Sequence, residues 1–258
     1  MAGVNVAVLG LGEAGGRLAA DLVAAGAEVR AYDPAVASVP EGVARADDAA
    51  AAVTGSEVAL ALTTAATALA AAESALPSLG EGGIYADLNT AAPALKRDIA
   101  ALADGAGARF ADVALLGPVP ARGLGTPAVA SGAGAQAFAD MFAPLGMPVE
   151  VVSERPGDAA TVKLLRSVFM KGLAAATLES LQAAEAAGHK AWLEGEIAAV
   201  IGEPLLERLV DGSRRHAVRR VDEMEAARDL LLELGVEPHV ATASASVLAS
   251  LAASGLGS

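Results

Sequence analysis

Residues 4–33, VNVAVLGLGEAGGRLAADLVAAGAEVRAYD, decide how the rest of the chain is read. Val4–Leu9 is a short apolar run of the kind buried inside a sheet, and residues 15–25 carry a helical pattern. Residues 28–33 form a second β-rich run ending on a lone aspartate. Between the first strand and the helix stands Gly10-x-Gly12-x-x-Gly15. In that setting Gly10 permits a tight turn, Gly12 lets the backbone approach a ligand closely, and Gly15 lets the helix pack on the strand. A diphosphate held there meets free N–H groups and the positive end of a helix dipole. Asp33, 18 residues after Gly15, stands where a carboxylate accepts hydrogen bonds from a ribose. The stretch therefore predicts a dinucleotide turn, with Gly10, Leu11, Gly12, Glu13, Ala14, Gly15 and Asp33 as cofactor-binding residues. Asp33 would repel a 2′-phosphate, and Pro34, Ala35 and Val36 supply no cation for one, so NAD is expected rather than NADP.

Outward from this unit the same alternation continues. Strands are predicted at 57–63, 83–88, 109–115, 128–131 and 148–153, with helices running to about residue 76 and over 92–103 and 135–142. Strand–helix alternation at this spacing predicts an α/β fold, a Rossmann-type, doubly wound, mostly parallel sheet over residues 1–154. Thr63 and Thr64 fall at a strand's C-terminal end, where ligands bind such sheets. After residue 155 no strand pattern remains, and residues 155–258 predict an all-helical C-terminal domain. It begins with a helix over about 158–187, broken in composition only by Gly172. At ~1.5 Å per residue it is ~45 Å long, which suits a helix that bridges domains or enters a partner subunit. Further helices are predicted at 191–209, 213–234 and 238–253, with Gly188, Gly212 and Gly235 as turn or C-cap residues.

Composition narrows the function classes. Of 258 residues 54% are hydrophobic, much of that alanine, and only 3% are aromatic, which favours closely packed helices. The absence of cysteine excludes disulfides and thiolate metal sites, and no His and carboxylate spacing suggests a metal. A net charge of −13 argues against nucleic acid, which needs a basic stripe. The first ten residues lack the charged start of a signal peptide. Residues 240–258, uncharged but rich in Ser, Thr, Gly and Ala, read as a small-residue packing helix rather than a membrane span. The expectation is a cytoplasmic protein with a small-molecule substrate, no nucleic-acid or membrane partner, and a homodimer formed through the helical domain.

Several segments together resemble the β-hydroxyacid dehydrogenases, relatives of 6-phosphogluconate dehydrogenase. Besides the glycine turn, ALTTAATA (61–68) falls where that family's fourth strand enters a cofactor-facing loop. ADLNTAAP (86–93) is similar to its Asp-x-Ser-Thr-x-x-Pro segment, with Asn89 in place of serine; this adds Asn89 and Thr90 to the cofactor residues. DVALLGPVPARGLGTPAVASG (112–132) resembles its substrate-binding stretch, which brings in Gly117 and Pro118, although Leu116 replaces the family serine and Pro118 the second glycine. GDAATVKLLRS (157–167) resembles its catalytic segment, a lysine followed four residues later by asparagine, here Ser167. Residues beyond 167 are similar to a divergent branch with a distinct helical C-terminal domain.

Oxidising an alcohol with a nicotinamide requires a positioned group to take the hydroxyl proton, and a lysine of lowered pKa can do this. The resemblance gives that role to Lys163, facing the nicotinamide. Ser167 shares its helix face and could bond the substrate hydroxyl or its own helix carbonyl. Lys171 could reach the same region or pair with a residue such as Glu179. RRHAVRR (214–220) is the densest positive cluster; His216, Arg219, Arg220 and Glu223 share one helix face by their i, i+3, i+4, i+7 spacing. It suits either a carboxylate or phosphate of the substrate, with His216 and Arg219 binding it, or an ion-pair network with Asp211, Asp222, Glu223 and Glu225. The resulting expectation is an NAD(P)-dependent oxidoreductase acting on a small anionic hydroxy or oxo substrate. An NADPH-using imine reductase and a non-catalytic dinucleotide sensor or scaffold are the alternatives.

Overall fold

The computed structural model describes residues 3–254. Met1, Ala2 and residues 255–258, which the expected domain limits and the expected C-terminal helix include, lie outside them. The chain forms two compact units, Met1–Thr161 and Val162–Ser258, so the division falls inside the long helix.

In the first unit, eight strands of the described residues form one sheet: β1 (Asn5–Leu9), β2 (Glu28–Tyr32), β3 (Ala44–Arg45), β4 (Val58–Ala61), β5 (Ile84–Asp87), β6 (Arg109–Leu115), β7 (Ala128–Ser131) and β8 (Val149–Ser153). The order is β3-β2-β1-β4-β5-β6-β7-β8. Neighbours pair in parallel except β6 and β7, which are antiparallel, with Val113 opposite Ala130. β1, β4, β5 and most of β6 are buried along their length and rich in Val, Ala, Leu and Ile, as strands covered on both faces are. The covering helices are α1 (Glu13–Ala24), α2 (Ala49–Val53), α3 (Ala68–Ala75), α4 (Pro93–Gly105), α5 (Val119–Arg122) and α6 (Ala135–Phe142). Their sheet-facing residues include Leu18, Ala19 and Leu22 of α1 and Ile99 and Ala103 of α4.

The two-residue strand β3 and the short helices α2 and α5 escaped the sequence reading. Each is too short to show a period.

Helix α7 (Asp158–Ala186) is the long one. In the second unit it is followed by α8 (Lys190–Ile201), α9 (Glu203–Arg215), α10 (Ala217–Glu233) and α11 (His239–Ala253). The two central helices predicted at 191–209 and 213–234 are thus three, broken at Gly202 and at His216. Gly202 has φ +81°, a left-handed conformation that glycine alone adopts easily, and Pro204 opens the next helix. Gly212 is no turn residue: it sits within α9, where a Cβ would come 2.7 Å from Nη2 of Arg220. Its missing side chain admits that guanidinium. Gly172 has a similar use in α7, since a Cβ there would meet Val240 of α11 at 2.8 Å. The unit's small core joins Leu164 and Val168 of α7 to Met224, Ala227 and Leu230 of α10 and Leu248 of α11.

Candidate functional site

The glycine turn joins β1 to α1 as the spacing requires. Gly10 has φ +99°, and a Cβ on it would strike the Leu62 carbonyl. A Cβ on Gly15 would strike the Gly10 carbonyl, so the helix start and the turn are in backbone contact. Gly12 differs. Its φ is −61°, open to any residue, and a Cβ there would meet nothing within 4 Å. The open space lies at the N-terminus of α1, where the first-turn amides of Glu13, Ala14 and Gly15 have no partner within the helix. A diphosphate fits this cradle of bare backbone and positive helix end.

Asp33 follows β2. Its Oδ2 accepts the Leu11 N–H at 2.7 Å, and its Oδ1 accepts the N–H groups of Ala35 at 2.7 Å and Val36 at 3.2 Å. The carboxylate therefore clamps the glycine turn, and the Leu11 amide is occupied by it. Burial pushes the Asp33 carboxyl up, but these three bonds and the charge of Arg45 outweigh burial and hold it below the usual carboxylate range. Arg45, on β3, donates to the carbonyls of Val36 at 2.7 Å and Ala37 at 3.0 Å. The residues next to Asp33 bring no cation, but the neighbouring strand does.

The loops after β4 and β5 meet. Asn89 is buried; its backbone N–H donates to Asp87 Oδ1 at 3.0 Å, and its side-chain amide donates to the same oxygen and to Thr63 Oγ1 at 3.3 Å. Thr64 is engaged differently, its hydroxyl 2.9 Å from that of Thr67 just before α3. Thr90 is exposed beyond Asn89. Gly117 and the exposed Pro118 follow β6 and lead into α5. α1 is tied to this segment, because Arg17 donates to the Pro120 carbonyl at 3.0 Å and Asp21 accepts the Leu124 N–H at 3.1 Å. Leu116, half-buried, packs against the cluster of Ala114, Val129 and Ala159.

Below these loops lies a charge cluster that the sequence did not disclose. Lys96 of α4, 1% exposed, places Nζ 3.3 Å from Asp87 Oδ2, 3.1 Å from Asp112 Oδ1 and 2.9 Å from the Asp87 carbonyl. The start of α7 docks on the same group. The Ala160 N–H donates to Asp112 Oδ2 and the Ala159 N–H to Ser131 Oγ, each at 2.9 Å. Two buried carboxylates against one ammonium leave a negative charge, which the positive end of α7 offsets. The only hint in the sequence is an aspartate in each of two largely apolar strands, at the end of β5 and in the middle of β6, and a lysine on an otherwise apolar helix face.

The second unit gathers other predicted residues. Lys163, half-buried, and buried Ser167 lie on successive turns of α7. Lys171, one turn further, pairs with Glu223 of α10 at 2.6 Å and donates to Ser167 Oγ at 3.0 Å. Its partner is therefore not Glu179. Arg219 is exposed, 3.9 Å from Glu223, and Arg220 turns inward to donate to Ser213 Oγ. His216 is not on the α10 face with them: it is the exposed N-cap residue between α9 and α10, and its carbonyl accepts the Arg220 N–H. Of the expected network, Asp211 pairs with Arg214 at 3.9 Å.

Residues 5–147 match the family described as the NAD binding domain of 6-phosphogluconate dehydrogenase. Residues 184–251 match a domain of unknown function, DUF1932. An uncharacterized 28.5 kDa protein of Methanothermus fervidus is 29% identical over 163 residues, 60% of this chain; the match spans 61% of that relative's length. A conserved hypothetical protein of Sinorhizobium meliloti 1021 superposes with a TM-score of 0.80 at 28% identity, over 96% of this chain and 88% of that one. The 3-hydroxyisobutyrate dehydrogenase of Mycobacterium tuberculosis, solved with L-serine, superposes with a TM-score of 0.84 over 99% and 96% of the two chains. At 21% identity that likeness speaks to the fold.

Proposed function

We propose, from the premise that the chain belongs to the family of the 6-phosphogluconate dehydrogenase NAD-binding domain, that it is an NAD(P)-dependent oxidoreductase acting on a small anionic hydroxy or oxo acid. The observation that carries this reading is the open cradle at Gly12, set between a buried strand and a helix start and clamped by Asp33. A bound dinucleotide supplies the hydride acceptor or donor. The chain's own residues then have two tasks. The amides after Gly12 bind the diphosphate, while Asp33, whose oxygens keep lone pairs beyond their amide bonds, accepts the ribose hydroxyls. Thr63, Asn89 and Thr90 border the same end of the sheet. Lys163 moves the proton, taking it from a hydroxyl in oxidation and returning it to a carbonyl in reduction. Gly117, Pro118, Ser167, His216 and Arg219 are the proposed substrate contacts, with Arg219 suited to a carboxylate.

NAD is the proposed cofactor because a carboxylate stands at the ribose position. Arg45 beside it favours a second reading in which a 2′-phosphate is also accepted. Titration with NADH and NADPH decides between them. Turnover is then sought with a panel of hydroxy and oxo acids and a cyclic imine. In Lys163→Ala, turnover is expected to fall by roughly 10²-fold or more, with NADH binding retained. Undiminished turnover removes Lys163 from the chemistry, turnover of the imine alone replaces the substrate class, and NADH binding without turnover of any kind favours a sensor.

A further inference from the structure

Asp87, the last residue of β5, is fully buried, and the reading above gives it no task toward the cofactor. The parallel register sets Leu9 of β1, Ala61 of β4 and Asp87 of β5 level with one another. The loops leaving these three strands therefore start side by side. Gly10 belongs to the first, Thr63 to the second and Asn89 to the third. The first two are in close approach, since a Cβ on Gly10 would come 3.1 Å from the Thr63 backbone nitrogen. The third reaches the second through the Asn89 side-chain amide, which donates to Thr63 Oγ1 at 3.3 Å.

The two oxygens of Asp87 divide their partners. Oδ2 faces the Lys96 ammonium at 3.3 Å, and Nζ also donates to the Asp87 carbonyl at 2.9 Å. Oδ1 accepts both the backbone N–H and the side-chain amide of Asn89. Every group that meets this carboxylate is a donor, and an ionised carboxylate only accepts. The nitrogen of the Asn89 amide, not its oxygen, therefore faces it. One N–H of that nitrogen goes to Asp87 and the other is left for Thr63. The direction of each bond is thus fixed outward from the core. Thr63 Oγ1, which accepts from Asn89, keeps its own proton to donate. The acceptors it meets among the described residues are the Thr64 carbonyl at 3.4 Å and Asn89 Oδ1 at 3.5 Å, both beyond the usual O–H···O range.

We propose that Asp87 is a positioning residue for the dinucleotide cradle: acting through Asn89, it holds Thr63 beside the glycine turn, with the Thr63 hydroxyl proton available to an acceptor oxygen of the bound dinucleotide. The proposal rests on a dinucleotide binding at that turn. Lys96 supplies the countercharge that the buried carboxylate requires. In Asp87→Asn one acceptor oxygen becomes a donor. If the remaining oxygen stays with Lys96, the new N–H₂ meets the N–H groups of Asn89, donor against donor. If the amide turns over, the N–H₂ meets the ammonium instead. Either orientation spoils one side of the arrangement.

The test is NADH binding to the full chain, measured by calorimetric titration, in Asp87→Asn, Asn89→Ala and the double variant. Each single variant is expected to bind NADH roughly tenfold more weakly than the parent, the effect of one lost hydrogen bond. Independent losses would multiply to roughly a hundredfold in the double variant, whereas action through Asn89 predicts a value within about threefold of the weaker single variant. A merely structural loss at Asp87 weakens binding as much in the Asn89→Ala background as in the parent. Circular dichroism confirms folding. Should Asp87→Asn fail to fold, Thr63→Val takes its place in the cycle with Asn89→Ala, and the same non-additive result is expected. Single variants within about twofold of the parent, or a double variant that reaches the product of the single losses, overturn the positioning role. A parent chain that binds no NADH overturns the dinucleotide reading itself, and the inference with it.

Discussion

Gly12 and Gly15 are three residues apart in one motif, yet the structure gives them separable physics. Alanine at 12 adopts the same backbone and projects its methyl into open space, so Gly12→Ala is expected to keep its melting temperature within ~2 °C and lose NADH affinity by tenfold or more. Alanine at 15 drives its methyl into the Gly10 carbonyl, so Gly15→Ala is expected to lose stability by several kcal/mol, on the order of 3 or more, before binding is even considered. Calorimetric titration and thermal melts separate the two, and equal melting losses would remove the ligand argument from Gly12. The acidic residues make a second prediction at this scale. Asp33 and Glu223 are held below their ordinary range despite burial, and Asp158 is lowered first by its bond from Ser153, then by Arg155 and Arg97 against a burial effect. A carboxyl depressed in the folded state binds fewer protons there than when unfolded, so its stabilisation is complete above the unfolded pKa of ~4 and disappears as pH falls through the folded value. The urea midpoint is therefore expected to drop steadily between pH 5 and pH 2.5. A flat profile would contradict these assignments.

Helix α7 is the element whose placement matters most. Its length was legible from a run of helix-forming residues, but its anchor was not, because Ser131, Asp112 and Lys96 lie 28, 48 and 64 residues before its second and third residues, taking Ala159 for the first and Ala160 for the others. Lys96→Met leaves two carboxylates buried without a cation and is expected to cost about 3–5 kcal/mol, whereas Ser131→Ala leaves only the Ala159 N–H unsatisfied and is expected to cost about 1–3 kcal/mol. Urea denaturation measures both, and a smaller loss for Lys96→Met than for Ser131→Ala would refute the charge argument. α9 and α10 teach the reverse lesson. Sequence placed a boundary at Gly212 because glycine commonly ends helices, but this glycine makes room for Arg220, and the break falls four residues later at His216.

At the scale of the molecule, the helical unit leaves much apolar surface uncovered: α8 has no buried residue, and Trp192 and Val200 are 66% and 84% exposed. Such faces favour a second copy of the chain, and sedimentation is expected to show a dimer that Trp192→Asp weakens; a monomer at micromolar concentration would refute this. No helix of the described residues is long and apolar enough to cross a membrane. The sequence by itself determined the strand–turn–helix unit, the order of most elements and the separation into a sheet half and a helical half, because these depend on local periodicity and on glycines whose reasons lie within a few residues. Only the tertiary structure decided that Asp33 clamps Leu11, that Arg45 comes beside Asp33, that Lys96 sits between two aspartates and that Glu223 meets Lys171. Each of those is a contact between charged or polar groups far apart along the chain. Local pattern records which face of an element is apolar, but not which charge another element will bring to it.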